Sequence, residues 1–233
     1  MKAPTSSLPH SGIFISFEGT EGAGKSTLIL ALAERLIDEG FQVVTTREPG
    51  GSAVAEKIRA LILGEPMDAW TEAFLYEAAR AEHLAKTVVP ALRSSTKQDP
   101  VIVLCDRFTD STLAYQGMAR GLDWKTLKKL NAIATAGLKP RLTVFVDIDP
   151  AQGLKDAKDP NRFEAEGTAF QTKVRKGFLK TIREEPGRFL KVQARSGSPE
   201  QMAHELHGRI VKKIPSLKKN VKKSSPRPSR LKK

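Results

Sequence analysis

The chain has 233 residues, 39% of them hydrophobic, which suits one folded domain with tails better than two domains. Its net charge of +13 is concentrated near the C-terminus, where residues 212–233 hold ten basic residues and no acid, so the remainder carries only +3. A single cysteine excludes an intrachain disulfide, and no apolar stretch approaches the roughly 18 residues of a transmembrane helix, so we expect a cytoplasmic protein without a membrane span.

Apolar runs and helical spacings alternate along the chain. Runs that are apolar on both faces are typical of strands buried in a parallel sheet, so the pattern predicts an α/β domain over residues 13–214, whose ligands gather at the carboxyl ends of the strands. A flexible leader (residues 1–12) and a disordered basic tail (residues 215–233) are expected to flank it. The predicted elements are strand 13–17, helix 26–39, strand 41–45, helix 52–63, helix 71–89 broken near Pro90, strands 101–105 and 142–146, helix 168–185, strand 189–192 and helix 199–214.

A glycine-rich segment, EGTEGAGKST, follows the first predicted strand and opens the first predicted helix. It matches the phosphate-binding pattern G-x-x-x-x-G-K-[ST], in which backbone amides surround the phosphates, a lysine reaches the β- and γ-phosphates and a hydroxyl helps to hold Mg²⁺. We therefore expect ATP and Mg²⁺ as cofactors. The expected nucleotide-binding residues are Gly19, Thr20, Glu21, Gly22, Ala23, Gly24, Lys25, Ser26 and Thr27.

The phosphate loop alone does not identify what receives the phosphate, but three arginines suggest a second phosphoester. Arg47 and Arg107 each lie just beyond an apolar strand, and Arg80 lies on a predicted helix between strands. Guanidinium groups orient phosphates through paired hydrogen bonds. Any one of these arginines could equally be an ordinary surface or ion-paired residue.

Five motifs resemble those of thymidylate kinases, the bacterial enzymes that phosphorylate dTMP. They are EGTEGAGKST, TREPGG, FLYEAAR followed by AEH, DRFTDSTLAYQG and NRFE, in the family's order from about residue 13 to residue 211. TREPGG together with the segment ending in AYQG is far more specific than the phosphate loop. The resemblance implies a P-loop NTPase fold with a five-stranded parallel sheet flanked by helices, a short lid, transfer of the γ-phosphate of ATP to dTMP, and a homodimer.

The resemblance also implies roles for individual residues. Arg47 and Arg107 would hold the acceptor phosphate, Asp106 would join Ser26 beside the metal, and Glu21 would lie near the 3′-hydroxyl of the acceptor sugar. Tyr76 would stack on thymine, although helical spacing also permits a core role. The remaining acceptor-binding residues implied are Glu48, which precedes a candidate cis peptide at Pro49, and Arg80, Ser111, Thr112, Tyr115 and Gln116.

The lid implied by the resemblance spans about residues 155–166 and should supply a cation to the transferring phosphoryl group, since the phosphate loop has no arginine between Gly19 and Lys25. The candidates are Lys158, Lys155 and Arg162. A lid also excludes water that would otherwise accept the phosphoryl group.

Several polar residues also have a structural interpretation. Thr112 could equally cap its turn, and either Asp147 or Asp149 could cap a helix. The histidines show no metal-ligand spacing, so we expect them to be structural or solvated, and Cys105 is expected to be buried in a strand.

The rivals to a thymidylate kinase are a kinase for another nucleotide or nucleoside, and a nucleotide-gated protein that binds nucleic acid through its basic tail. Tail electrostatics alone would give only weak, salt-sensitive binding.

Overall fold

The computed structural model describes residues 12–156 and 162–218. Their five strands pair in the order β2, β3, β1, β4, β5, and every pairing is parallel, which confirms the predicted sheet. The strands are β1 (Ile13–Glu18), β2 (Gln42–Arg47), β3 (Val101–Asp106), β4 (Leu142–Asp147) and β5 (Phe189–Gln193).

Helices connect the strands within the described residues and cover the sheet. They are α1 (Lys25–Asp38), α2 (Ala53–Gly64), α3 (Ala69–His83), α4 (Val89–Arg93), α5 (Thr109–Thr112), α6 (Trp124–Ala134), α7 (Pro150–Lys155), α8 (Arg162–Ala165), α9 (Gly167–Glu184) and α10 (Pro199–Lys213), with π-helical turns at Leu84–Val88 and Leu113–Ala119 and 3₁₀ turns at Pro186–Arg188 and Pro215–Leu217.

The sheet is buried because its central strands are apolar on both sides. All six residues of β1 and of β4 are buried, as are the first five of β3. Leu32 of α1 and Leu206 of α10 belong to one core cluster with β1, whereas Val88 and Leu92 belong to another with β3. This packing fixes the carboxyl ends of β1, β2 and β3 along one edge, where the conserved geometry of parallel sheets places ligands.

The helix predicted to break near Pro90 instead remains helical to Arg93. The π-helical turn Leu84–Val88 precedes Pro90, which lies in the first turn of α4. The Val89 amide donates to the carbonyl of Leu84, five residues earlier, and this wider π-helical turn accommodates a proline, which has no amide hydrogen to donate.

The structure differs from the prediction in two unpredicted helical segments and in one domain boundary. Helix α6 and the helical segment from Thr109 to Ala119 were not predicted. The domain was predicted to end at residue 214, but Leu217 is only 1% exposed and packs in the same core cluster as Ile214.

Residues 1–11 and 219–233 lie outside the described residues, so the flexibility expected of the leader and tail remains a prediction. No helix in the described part of the chain has the length and apolar composition needed to cross a membrane.

Candidate active site

The phosphate loop lies between the end of β1 and the start of α1, as predicted. Gly22 has a φ of 67°, and a β-carbon added to it would lie 1.8 Å from the carbonyl oxygen of Gly153. A side chain at this position would therefore be strained and would collide with the backbone of α7. The loop conformation depends on glycine at this position.

Lys25 lies at the first position of α1, and its side chain points into the loop. Its ammonium group donates a hydrogen bond to the carbonyl oxygen of Thr20 at 2.9 Å. Burial and the neighbouring charge of Arg107 lower the pKa of Lys25, although Asp106 and Glu21 act in the opposite direction. A lysine held this way can exchange its carbonyl partner for a phosphate oxygen.

Ser26 and Asp106 come together although 80 positions separate them in the sequence. The Ser26 hydroxyl donates to one carboxylate oxygen of Asp106 at 2.5 Å, whereas the other carboxylate oxygen is buried and makes no hydrogen bond to any described residue. A buried oxygen without a donor suits a cation ligand. A hydroxyl and a carboxylate match the ligands that Mg²⁺ takes beside phosphates, so the predicted metal residues fit that ion.

Arg107 is the centre of an ionic cluster. Its guanidinium donates to a carboxylate oxygen of Glu21 at 2.7 Å, and the Tyr115 hydroxyl donates to the same oxygen at 2.8 Å. Burial acts to raise the pKa of Glu21, but the charges of Arg107 and Lys25 outweigh it and hold that pKa below 4.5. Glu21 is thus an anion that orients Arg107.

The backbone of Arg107 is strained, with a φ of 69°. Such a conformation costs about 1–3 kcal/mol in a residue with a side chain and persists only where neighbours fix it. Here the Arg107 amide donates to the carbonyl of Phe17 at 2.9 Å, and the next amide, that of Phe108, donates to the buried carboxylate of Glu18 at 2.8 Å. These bonds aim the arginine back across the end of β1.

A cavity of about 720 Å³, here called the site cavity, opens at this edge of the sheet. Its volume lies within the roughly 300–1,000 Å³ range of ligand sites. The phosphate loop and four arginines, Arg47, Arg59, Arg107 and Arg195, line this cavity. The lining residues are Glu21, Gly22, Ala23, Gly24, Lys25, Ser26, Thr27, Leu28, Arg47, Glu48, Arg59, Asp106, Arg107, Asp156, Glu164, Arg195, Gly197, Pro199 and Met202.

The predicted arginines Arg47 and Arg107 therefore share one cavity, joined by Arg59, which was not predicted. The Arg47 guanidinium contacts both carboxylate oxygens of Glu56, at 3.0 and 3.1 Å, and is 55% exposed. Arg59 donates to the carbonyl oxygen of Pro49 at 2.8 Å. Burial and the positive charge of Arg47 lower the pKa of Arg59. The sequence carried no specific signal for Arg59, which lies on α2 rather than at the end of a strand.

Other predicted acceptor residues do not line the site cavity. Arg80 is 1% exposed and bonds to Glu48, Glu77, Thr112 and Asn131. The polar side chains of Ser111 and Gln116 donate to Glu18 and Glu72 respectively, and Tyr76 is half-buried near Phe163. The Glu48–Pro49 peptide bond is cis, as the resemblance implied. Contacts of these residues with a base or sugar remain predictions.

Two of the three lid candidates lie within the described residues. Lys155 ends α7 and is exposed, and Lys158 lies outside the described residues. The Arg162 guanidinium contacts a carboxylate oxygen of Glu72 at 2.6 Å and does not line the site cavity, whereas Asp156 and Glu164 do. The structure thus does not bring Arg162 to the phosphate loop, and the choice of lid cation remains a prediction.

The residues left out of the predicted site have structural partners. Asp149 accepts the amides of Ala151 and Gln152 at the start of α7, and Asp147 pairs with Arg175 and Lys191. Cys105 is fully buried in β3, as expected. Within residues 12–156 and 162–218, no group of three or more His, Cys, Asp or Glu side chains could hold a metal ion.

A parallel sheet with a glycine-rich phosphate loop after its central strand defines a protein of the P-loop NTPase fold. The family model of thymidylate kinase matches residues 17–206. The chain belongs to the thymidylate kinase family, whose reaction is the ATP-dependent phosphorylation of dTMP.

Two curated relatives and one crystal structure illustrate the similarity. The thymidylate kinase of Geotalea uraniireducens is 47% identical over 204 residues, covering 82% of this chain and 93% of the relative. That of Staphylococcus epidermidis is 45% identical over 204 residues, covering 85% and 97%. The crystal structure of thymidylate kinase from Ehrlichia chaffeensis matches with a TM-score of 0.69 and 31% identity, over 85% of this chain and 98% of that one.

Proposed function

We propose that this chain transfers the γ-phosphoryl group of ATP to dTMP, giving ADP and dTDP, at the site cavity. The observation that carries the assignment is that a phosphate loop and three arginines, Arg47, Arg59 and Arg107, line the same cavity. A nucleotide switch needs only the phosphate loop. A phosphate loop and several arginines in one cavity suit two phosphate-bearing ligands.

The donor triphosphate binds along residues 19–27. The loop amides and the start of α1 surround its phosphates, and Lys25 exchanges its bond to Thr20 for one to the β- and γ-phosphates. Ser26 and Asp106 are the residues that would hold Mg²⁺ with those phosphates. When bound, this ion neutralises charge on the transferring group.

The acceptor phosphate binds to Arg47 and Arg107, with Arg59 beside them. A nucleoside monophosphate has a second pKa of about 6, so near neutral pH an oxyanion is already available to attack the γ-phosphorus and no general base is required. The new bond joins this oxygen to the γ-phosphorus while the bond to the β,γ-bridging oxygen breaks, and ADP leaves. Catalysis then consists of positioning and charge stabilisation.

The nucleoside of the acceptor lies toward α3 and the segment after β3. Tyr76 stacks on thymine, Arg80 and Thr112 face the base edge with Ser111 and Gln116 nearby, and Tyr115 with Glu21 faces the sugar. A cation from the lid, among Lys155, Lys158 and Arg162, completes the charge around the phosphoryl group. These roles rest on the motifs shared with the family.

The active protein is a cytoplasmic homodimer in this proposal. Val54, Leu61 and Phe74 support the dimer, because they expose 49%, 51% and 54% of their surface on two helices that pack together. Large exposed apolar side chains on two packed helices are candidates for a protein interface.

An acceptor panel tests the function. The full chain is incubated with Mg-ATP and, separately, dTMP, dUMP, dCMP, dAMP, dGMP or thymidine, and ADP formation is measured. We expect kcat/KM to be highest for dTMP. A clear preference for another acceptor would overturn the substrate assignment, and stable nucleotide binding without transfer to any acceptor would overturn the kinase assignment.

A further inference from the structure

We propose that His83 is a positioning residue for acceptor binding, which it serves by fixing the residues on both sides of Arg47. The inference rests on the proposed function, because it concerns the arginine assigned to the acceptor phosphate. His83 itself does not line the site cavity. It ends α3 and is fully buried.

Both ring nitrogens of His83 bond to the chain around Arg47. Nδ1 lies 3.0 Å from a carboxylate oxygen of Glu48, and Nε2 lies 2.7 Å from the hydroxyl of Thr46. An ionised carboxylate only accepts, so Nδ1 carries the proton and donates to it. One imidazole thus holds the residue before Arg47 and the residue after it.

Strand geometry explains why this affects Arg47. Thr46, near the end of β2, and Glu48, just beyond it, both contact His83 on α3, whereas Arg47 between them pairs with Glu56 of α2. This is the alternation expected of successive side chains in an extended chain. The carbonyl of Asp106 accepts the Glu48 amide at 2.9 Å, which ties the same peptide to β3. With its two neighbours fixed, the direction of the Arg47 side chain from the backbone is also fixed.

Further contacts from the same helical segment hold the β2–α2 loop (residues 48–52) in place. Arg80 donates to the second carboxylate oxygen of Glu48 at 2.8 Å, and the Thr87 hydroxyl donates to the carbonyl of Gly51 at 2.6 Å. A β-carbon on Gly51 would lie 2.5 Å from the His83 ring, so the ring packs directly on the loop backbone. Glu48 and Arg47 both line the site cavity, so loosening the contact with His83 would disturb two residues of the proposed acceptor site.

The test compares steady-state kinetics of His83→Ala with the wild-type chain, varying dTMP and ATP separately. We expect KM for dTMP to rise by about tenfold or more, the scale of a lost hydrogen bond to a charged group, and KM for ATP to change less than about twofold. The matched control is Leu84→Ala, which truncates the next, equally buried residue, whose contacts are with the apolar core. It should lower the melting temperature but leave both KM values near those of the wild type.

A conservative variant separates positioning from folding. His83→Asn keeps an amide donor close to the position of Nδ1, so KM for dTMP should return to within about threefold of the wild type, whereas His83→Gln, which reaches toward Thr46, should not restore it. An unchanged KM for dTMP in His83→Ala, or an equal rise of both KM values in His83→Ala and Leu84→Ala, would overturn the proposal. If His83→Ala does not fold, the Asn and Gln pair decides, and equal KM values for the two would contradict it.

The His83 variants and the acceptor panel can fail independently of each other. If the wild-type chain phosphorylates another nucleoside monophosphate, the substrate assignment fails, and the same comparison is made with that acceptor. His83 acts on the arginine that meets the acceptor phosphate, so its proposed role does not depend on which base the acceptor carries.

Discussion

Arg59 is a candidate for binding the acceptor phosphate that the sequence did not predict. It lies beside Arg47 and Arg107 in the site cavity. We expect Arg59→Ala to raise KM for dTMP about tenfold with little change in KM for ATP, because a charge-assisted hydrogen bond contributes roughly 1.5–3 kcal/mol. Steady-state kinetics with each substrate varied in turn measures this.

Arg209→Ala is the matched control for Arg59→Ala. Arg209 also donates to a backbone carbonyl at 2.8 Å, that of Lys191, and it does not line the site cavity. Its removal should leave both KM values unchanged. An Arg59→Ala enzyme with the KM values of the Arg209 variant would exclude Arg59 from acceptor binding.

The difference between Arg47 and Arg59 shows how far the sequence can predict a site. Arg47 and Arg107 follow apolar strands directly, and the carboxyl ends of parallel strands share an edge, so their convergence was predictable. Arg59 lies on a helix, and its position depends on how α2 packs against α3. Helical spacing alone does not specify which side of a helix faces a site.

Glu18 gives a pH prediction. Burial and the nearby charge of Asp110 raise the pKa of Glu18 to about 8, from an ordinary value of 4.5. The folded protein therefore keeps a proton that the unfolded chain loses between these values, so this group's contribution to the free energy of unfolding falls as pH rises through the window.

Replacing Glu18 isolates that contribution. We expect the wild-type free energy of unfolding to decline relative to that of Glu18→Gln between about pH 5 and pH 8, by up to about 1.4 kcal/mol per pH unit. Urea denaturation of both proteins across this range measures the difference. Parallel pH profiles would show that Glu18 does not titrate there.

At the scale of elements, the phosphate loop depends on its contact with α7. Gly22→Ala combines a left-handed backbone with a β-carbon 1.8 Å from the Gly153 carbonyl, so the loop must move. We expect KM for ATP to rise at least about tenfold and the melting temperature to fall, since overpacking typically costs about 1–3 kcal/mol. Calorimetry and ATP-dependent kinetics measure the two effects.

Gly121→Ala separates backbone strain from collision. Gly121 has a φ of 83°, and no atom lies within 4 Å of its added β-carbon. This variant should lose about 1 kcal/mol of stability while keeping the KM for ATP. If both glycine variants bind ATP as the wild type does, the packing of the loop on α7 is not what fixes its shape.

The three central strands, β1, β3 and β4, were predictable because a strand buried on both faces is a short, continuous apolar run. The helical segment from Thr109 to Ala119 was missed because Thr, Ser, Asp and Gly favour turns, and tertiary packing overrides that preference. Leu113 and Tyr115 are buried against neighbouring helices, which stabilises the segment. Helix α6 did carry a signal, since the Asp123 side chain caps it and Trp124, Leu127 and Leu130 have helical spacing.

At the scale of the whole molecule, the exposed apolar side chains of α2 and α3 predict a dimer interface. Leu61→Glu should convert a dimer to a monomer, because a charge would be buried in the apolar contact. Ile133→Glu is the control, since Ile133 is 75% exposed on α6. Light scattering of all three proteins measures the mass. A monomeric wild type, or an unchanged mass for Leu61→Glu, would contradict the prediction.

The basic tail is predicted to be dispensable for catalysis. The described core closes at Leu217, so deleting residues 220–233 should leave kcat/KM for dTMP within about twofold and the melting temperature unchanged. If the chain is instead a nucleotide-gated protein that binds nucleic acid through its basic tail, the deletion should abolish that binding. Kinetics and thermal unfolding of the truncated chain distinguish the two.

The most direct measurement is a crystal structure of the chain with dTMP and a non-hydrolysable ATP analogue. We predict that the guanidinium groups of Arg47 and Arg107 lie roughly 2.7–3.2 Å from oxygens of the dTMP phosphate, which faces the terminal phosphorus of the analogue on the phosphate loop. A complex in which both arginines point away from that phosphorus, with the dTMP phosphate bound elsewhere, would contradict it.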